Sequence, residues 1–213
     1  MSNTSKIITL PNILTFSRIL VIPALVTTFY FPSAASDWLA LGLFCAAGIT
    51  DFLDGYLARL RGQMTNLGRF LDPVADKLLV VAAIVMLIAF DRIDSFAVLA
   101  AVVIICREIL VSGLREFLAD IRVPVPVSRL AKWKTTIQMV AIAFLLSGNA
   151  GDALLPVKEI GMVCLWIAAC LTLYTGYDYL RGGLAYIATD DGTKSDLEPS
   201  ESRITIDKAK TQA

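Results

Sequence analysis

The chain has 213 residues, 56% hydrophobic and 18% charged, with 19 basic and 19 acidic side chains that cancel to a formal net charge of zero. The charges clump between apolar runs, a pattern that excludes both an ordinary water-soluble domain and a nucleic-acid binder held by excess positive charge. Histidine is absent, which removes Ser-His-Asp and Cys-His catalysis, the zinc metalloprotease motif and any imidazole base.

A hydrocarbon core about 30 Å thick needs roughly 20 helical residues to cross it, and the backbone groups in lipid must be satisfied within each segment. In chain order, residues 1–18 read as a short amphipathic interfacial helix in which Pro11 and Asn12 mark a turn. Asn12, Thr15 and Arg18 then follow at spacings of three and share a face. That face either snorkels its arginine to the interface or closes one side of a polar pocket. The apolar runs Phe16–Phe31, Trp38–Leu60, Arg69–Phe90, Ser95–Leu118, Trp133–Leu146 and Val157–Tyr179 come next. They predict an all-α polytopic membrane protein with six transmembrane helices.

The N-terminus does not read as a cleavable signal peptide, because Lys6 is its one lysine and the apolar stretch after Arg18 holds Pro23 without a small-residue cleavage site. The membrane domain is expected over residues 1–188. From 189 to 213 the chain is polar, without hydrophobic periodicity, and is expected to be a disordered tail.

Lysine and arginine gather in two interhelical regions, Arg59, Arg61, Arg69 and Lys77, then Arg107, Arg115, Arg122, Arg129, Lys132 and Lys134, while the opposite loops hold Arg92 and Lys158. By the positive-inside rule the termini and both basic regions face the cytoplasm of a cell inner membrane. Cys45, Cys106, Cys164 and Cys170 lie in apolar runs without CxxC spacing. Core packing is expected of them rather than disulfides or zinc.

Charge also enters the second and third runs, where lipid makes it costly unless it lines a polar cavity, is paired or does chemistry. Asp51 and Asp54 share a helical face with Ala58, and Asp72 and Asp76 stand one turn apart on the next helix. The short polar link Arg61–Asn66 makes the two helices antiparallel, so four carboxylates converge near their cytoplasmic ends. Oxygen ligands of this kind suit a hard divalent cation such as Mg²⁺ or Mn²⁺. Gly55, Ala58 and Gly68 leave room for a bulky ligand, and Arg59 is free to grip a phosphate or to neutralise a carboxylate. Helix-end ion pairing with Arg59, Arg69 and Lys77 is the competing structural explanation.

In the fourth run Glu108, Ser112 and Arg115 share a face beside Arg107, and in the fifth Lys134 and Gln138 stand one turn apart. Arg122 and Arg129 read as snorkelling residues. Arg107, Arg115 and Lys134 sit within or beside apolar runs and point to an anionic substrate.

The spacing D-x2-D-G-x2-A-R-x8-G-x3-D-x3-D is met at every fixed position by Asp51, Asp54, Gly55, Ala58, Arg59, Gly68, Asp72 and Asp76. It resembles the signature of the CDP-alcohol phosphatidyltransferases. The likeness extends through Pro11–Arg18, Leu71–Lys77, Arg107–Ile109, Leu114–Glu116 and Lys132–Thr136, and departs mildly at Ala131, where the family often has glycine.

The resemblance implies that Asp51, Asp54, Asp72 and Asp76 hold the metal and that Asp76 is the general base. It implies CDP-diacylglycerol binding by Asn12, Thr15, Asp54, Gly55, Ala58, Arg59 and Gly68. Acceptor-phosphate binding would fall to Arg18, Arg107, Arg115 and Lys134, with glycerol 3-phosphate as acceptor, membrane lipid around the protein and a homodimer as the assembly. A sister reaction with inositol phosphate, serine or phosphatidylglycerol leaves the cations less well explained. A cation channel or transporter has no use for the small residues around the acids and expects interrupted paired spans.

Overall fold

A computed structural model describes residues 10–61, 66–120 and 129–195 of the chain. They form helices α1 (Leu10–Thr28), α2 (Ala34–Arg61), α3 (Asn66–Ala89), α4 (Val98–Asp120), α5 (Arg129–Asp152) and α6 (Val157–Ser195), and no strand occurs among them. Local chemistry sets several of the ends. Ser33 caps α2, its Oγ accepting the Ser36 amide at 3.1 Å. α3 stops at Ala89, where Asp91 adopts a φ of 54° and the Arg92 amide returns to the Leu87 carbonyl at 2.9 Å. Pro156 stands immediately before α6.

Short connections make successive helices antiparallel. The starts of α1, α3 and α5 therefore gather with the ends of α2 and α4 and the later part of α6. α5 packs along α6 and α2, α1 along α2 and α3, and α4 along α6. The core between them mixes large residues, including Phe44, Leu79, Ile84, Ile104 and Leu165, with Ala83, Ala101, Ala141 and Ala168, all 1% exposed or less. The alanines allow close helix approach.

The far end of the bundle is fastened by Arg92. Its guanidinium pairs with Asp37, donates from Nη1 to the Leu146 carbonyl at 2.8 Å and lies 5.0 Å from the Phe29 ring centroid. These contacts join the ends of α1, α2 and α5. Gly148 interrupts α5 there with a φ of 49°, and a Cβ on it would stand 2.6 Å from Arg92 Nη1.

Several expectations change. α1 runs unbroken from Leu10 to Thr28, so the described part of the lead-in belongs to the first long helix and forms no separate interfacial helix. α6 continues past Tyr179 through Ser195, into the segment read as a tail, and residues 196–213 lie outside the described set. So do residues 62–65 and 121–128, the latter including Arg122. Cys45, Cys106 and Cys170 are exposed and Cys164 is half-buried, all four as free thiols. Their helices turn these positions outward, where an apolar run is also apolar.

By length and composition, one described segment, Val157–Arg181 of 25 residues, can cross a membrane, and Thr15–Thr28 is a shorter apolar stretch. The acids of α2 and α3 and the mixed charges of α4 interrupt the other apolar runs.

Candidate active site

Two polar regions meet at the end of the bundle where α1, α3 and α5 begin. The first is acidic. Asp51 of α2 lies within electrostatic reach of Asp72 and Asp76, one turn apart on α3. α1 closes this region from the side. Arg18 Nη1 stands 2.8 Å from Asp51 Oδ1, and Thr15 Oγ1 donates to Asp72 Oδ1 at 2.5 Å. A spacing of three puts Thr15 and Arg18 on one face of α1, and both are buried. A guanidinium 1% exposed needs an anion beside it, and Asp51 supplies one.

The side chains of Asn12, Asp54, Gly55, Ala58, Arg59 and Gly68 lie outside the described set, although their backbones belong to α1, α2 and α3. Among the described residues no three potential ligands close on one metal position. The donor chemistry nevertheless fits a hard divalent cation. Asp51, Asp72 and Asp76 offer oxygen alone, and their mutual repulsion is relieved by a cation between them.

The second region is a cavity of about 430 Å³ between α3, α4, α5 and α6. Five cations line it, Lys77, Arg107, Arg115, Lys132 and Lys134, against two carboxylates, Asp76 and Glu108. Lys134 of α5 is 1% exposed and its ammonium pairs with Glu108 of α4. Arg107 Nη2 donates to Thr175 Oγ1 of α6 at 2.9 Å, and its guanidinium carbon lies 6.0 Å from the Tyr179 ring centroid. Its stem crosses Gly176, where a Cβ would stand 3.1 Å from Arg107 Cγ. Lys77 Nζ donates to the Pro73 carbonyl one turn back at 3.0 Å.

Arg107, Arg115 and Lys134 thus come together, while Arg18 belongs with Asp51 and does not line the cavity. Its place on the acidic side follows from the packing of α1 against α2 and α3. Asp76 is common to both regions. Lys132 and Tyr179 are additional lining residues that sequence reasoning left unassigned. Lys132 is two residues from Lys134, so helical spacing puts it on another face, and its long side chain makes up the difference. Tyr179 comes from a helix remote in sequence with no local pattern to mark it. Lys77, weighed only as a counter-ion, also faces the cavity.

The model of the CDP-alcohol phosphatidyltransferase family matches residues 8–174. The chain is 47% identical over 177 residues to the CDP-diacylglycerol–glycerol-3-phosphate 3-phosphatidyltransferase of Rickettsia felis, covering 83% of this chain and 96% of that protein. A protein of the same name from Cereibacter sphaeroides is 41% identical over 214 residues, with 84% and 96% covered. One from Haemophilus influenzae is 40% identical over 174 residues, with 81% and 91% covered.

Proposed function

The chain belongs to the CDP-alcohol phosphatidyltransferase family, and on that footing we propose that it transfers the phosphatidyl group of CDP-diacylglycerol to glycerol 3-phosphate, releasing CMP and phosphatidylglycerophosphate. The carrying observation is that Asp76 faces a cavity lined by five cations while it lies within electrostatic reach of Asp51. A base shared by an acidic donor site and a cationic acceptor site is the arrangement this transfer needs. The names of the relatives supply both substrates.

Family members are in general dependent on a divalent metal. Asp51, Asp54, Asp72 and Asp76 would hold it here, as Mg²⁺ or Mn²⁺. Bound there, the ion would neutralise charge on the pyrophosphate and stabilise the departing CMP. Asn12, Thr15, Gly55, Ala58, Arg59 and Gly68 border the CDP-diacylglycerol. Arg18 holds Asp51 in place rather than meeting the acceptor. Arg107, Arg115 and Lys134, joined by Lys77 and Lys132, draw in the acceptor phosphate. Asp76 takes the proton of the acceptor hydroxyl as its oxygen attacks the phosphorus that carries the diacylglycerol, and the bond from that phosphorus to CMP breaks. A carboxylate is a weak base at neutral pH, so alignment and electrostatics supply most of the acceleration.

Each helix presents large apolar side chains outward, among them Leu20, Ile49, Val85, Ile109, Val140 and Ile167. An exposed apolar surface of this extent supports six spans in an inner membrane, with the site at the cytoplasmic edge where soluble acceptor and lipid-borne donor meet. The family resemblance alone extends the proposal to a homodimer as the assembly. Incubating purified protein with CDP-diacylglycerol, Mg²⁺ or Mn²⁺ and a panel of acceptors tests the function. Glycerol 3-phosphate is expected to give the highest kcat/KM for CMP release, and release with serine or inositol phosphate alone would overturn the acceptor assignment.

A further inference from the structure

Glu108 is out of place in a cavity built to attract an anion. Five cations surround the space, and a carboxylate on the same wall repels the phosphate they would bind. Its counter-ion role is incomplete. One oxygen, Oε1, takes the ammonium of Lys134, but Oε2 is 4.0 Å from Arg107 Nη1, too far for a hydrogen bond. The side chain keeps 18% of its surface open, whereas Lys134 is sealed at 1%. An ionised carboxylate accepts about four hydrogen bonds in all, so Glu108 retains acceptor capacity toward the cavity. The neighbouring wall adds a second acceptor, the Oε1 of Gln138, which is buried without a hydrogen-bond partner. Lone acceptors among cations serve a ligand that carries hydroxyl donors as well as phosphate.

We infer that Glu108 is a specificity-determining residue that accepts a hydrogen bond from the non-reacting hydroxyl of a phosphorylated polyol acceptor. The inference rests on the proposed acceptor chemistry and deepens it. Arg107, Arg115 and Lys134 engage the phosphate, Asp76 engages the terminal hydroxyl, and Glu108 reads the hydroxyl between them. Its bond to Lys134 holds the carboxylate in place for this, because Lys134 is itself buried, 1% exposed.

The test compares glycerol 3-phosphate with 3-hydroxypropyl phosphate, which keeps the terminal hydroxyl and the phosphate at the same separation and lacks the middle hydroxyl. Wild-type protein should favour glycerol 3-phosphate in kcat/KM by about tenfold or more, the usual consequence of leaving a polar group in a site unmatched. Glu108→Gln, which preserves the shape and removes the charge, should lower that preference to about threefold or less through loss of activity with glycerol 3-phosphate. Because Glu108→Gln also deprives buried Lys134 of its counter-ion, some activity is lost with both acceptors, but the loss with 3-hydroxypropyl phosphate should be about threefold or more smaller than that with glycerol 3-phosphate.

Equal kcat/KM for the two acceptors in the wild type would overturn the inference while leaving phosphatidyl transfer to glycerol 3-phosphate intact, and this comparison needs no variant to fold. A proportionate loss with both acceptors in Glu108→Gln would overturn it as well, assigning Glu108 to the support of Lys134 alone. No CMP release from glycerol 3-phosphate in the wild type would instead overturn the acceptor assignment, and the inference with it.

Discussion

Asp76 stands between two opposite electrostatic surroundings, the acids of α2 and α3 on one side and the cations of the cavity on the other. Asp76→Asn keeps its size and removes its basicity, so kcat for CMP release should fall by about a hundredfold or more, with thermal unfolding in detergent unchanged. Full turnover in a folded variant would refute its role as base. The cations divide by burial. Arg115 is exposed and Lys134 is sealed against Glu108. On the proposed reading of the cavity, Arg115→Ala should raise the KM for glycerol 3-phosphate about tenfold and leave that for CDP-diacylglycerol within about twofold, since one cation is removed from the acceptor's side of the site. Lys134→Ala is the poorer probe, since it leaves a carboxylate without its partner and lowers stability too. Arg18 shows where residue-level reading ends. Spacing leaves it either snorkelling to the interface or closing a polar pocket, and its burial and its partner Asp51 are set by which helices α1 packs against.

Close helix passages depend on positions with no side chain. Gly176 of α6 lets the stem of Arg107 cross it. Gly176→Val should displace that guanidinium from Thr175 and raise the KM for glycerol 3-phosphate severalfold, and an unchanged KM would show that Arg107 does not need this path. At the opposite end, Gly148→Ala would set a Cβ 2.6 Å from Arg92 Nη1 on a backbone with a φ of 49°. It should cost about 1–3 kcal/mol of stability, read as a lower unfolding temperature. A rise in stability would mean that the Arg92 contacts do not fasten the helix ends. Neither glycine is legible from sequence, because each is required by a side chain remote in the chain, Arg92 at Gly148 and Arg107 at Gly176. The faces within one helix are legible. Helical spacing put Thr15 with Arg18, Asp72 with Asp76, and Glu108 with Arg115, and these pairs do serve common regions.

At the scale of the molecule, the six helices of the described residues alternate in direction and bring residues from across most of the chain to one end. The apolar runs were enough to locate the helices and the two acidic turns. They were not enough to define every limit, because a helix ends on its caps and turns rather than where hydropathy falls, and α1 and α6 extend beyond their apolar stretches. The cavity combines α3, α4, α5 and α6, so its composition depends on tertiary packing, and Lys132 and Tyr179 enter it without a local signal. Chelation of divalent ions should abolish CMP release and added Mg²⁺ or Mn²⁺ should restore it, whereas activity that survives chelation would remove the metal from the proposed site. The most direct test follows labelled glycerol 3-phosphate into lipid. Purified wild-type protein supplied with CDP-diacylglycerol should move the label from water into solvent-extractable phosphatidylglycerophosphate, one molecule for each CMP released, and CMP release without that transfer would contradict it.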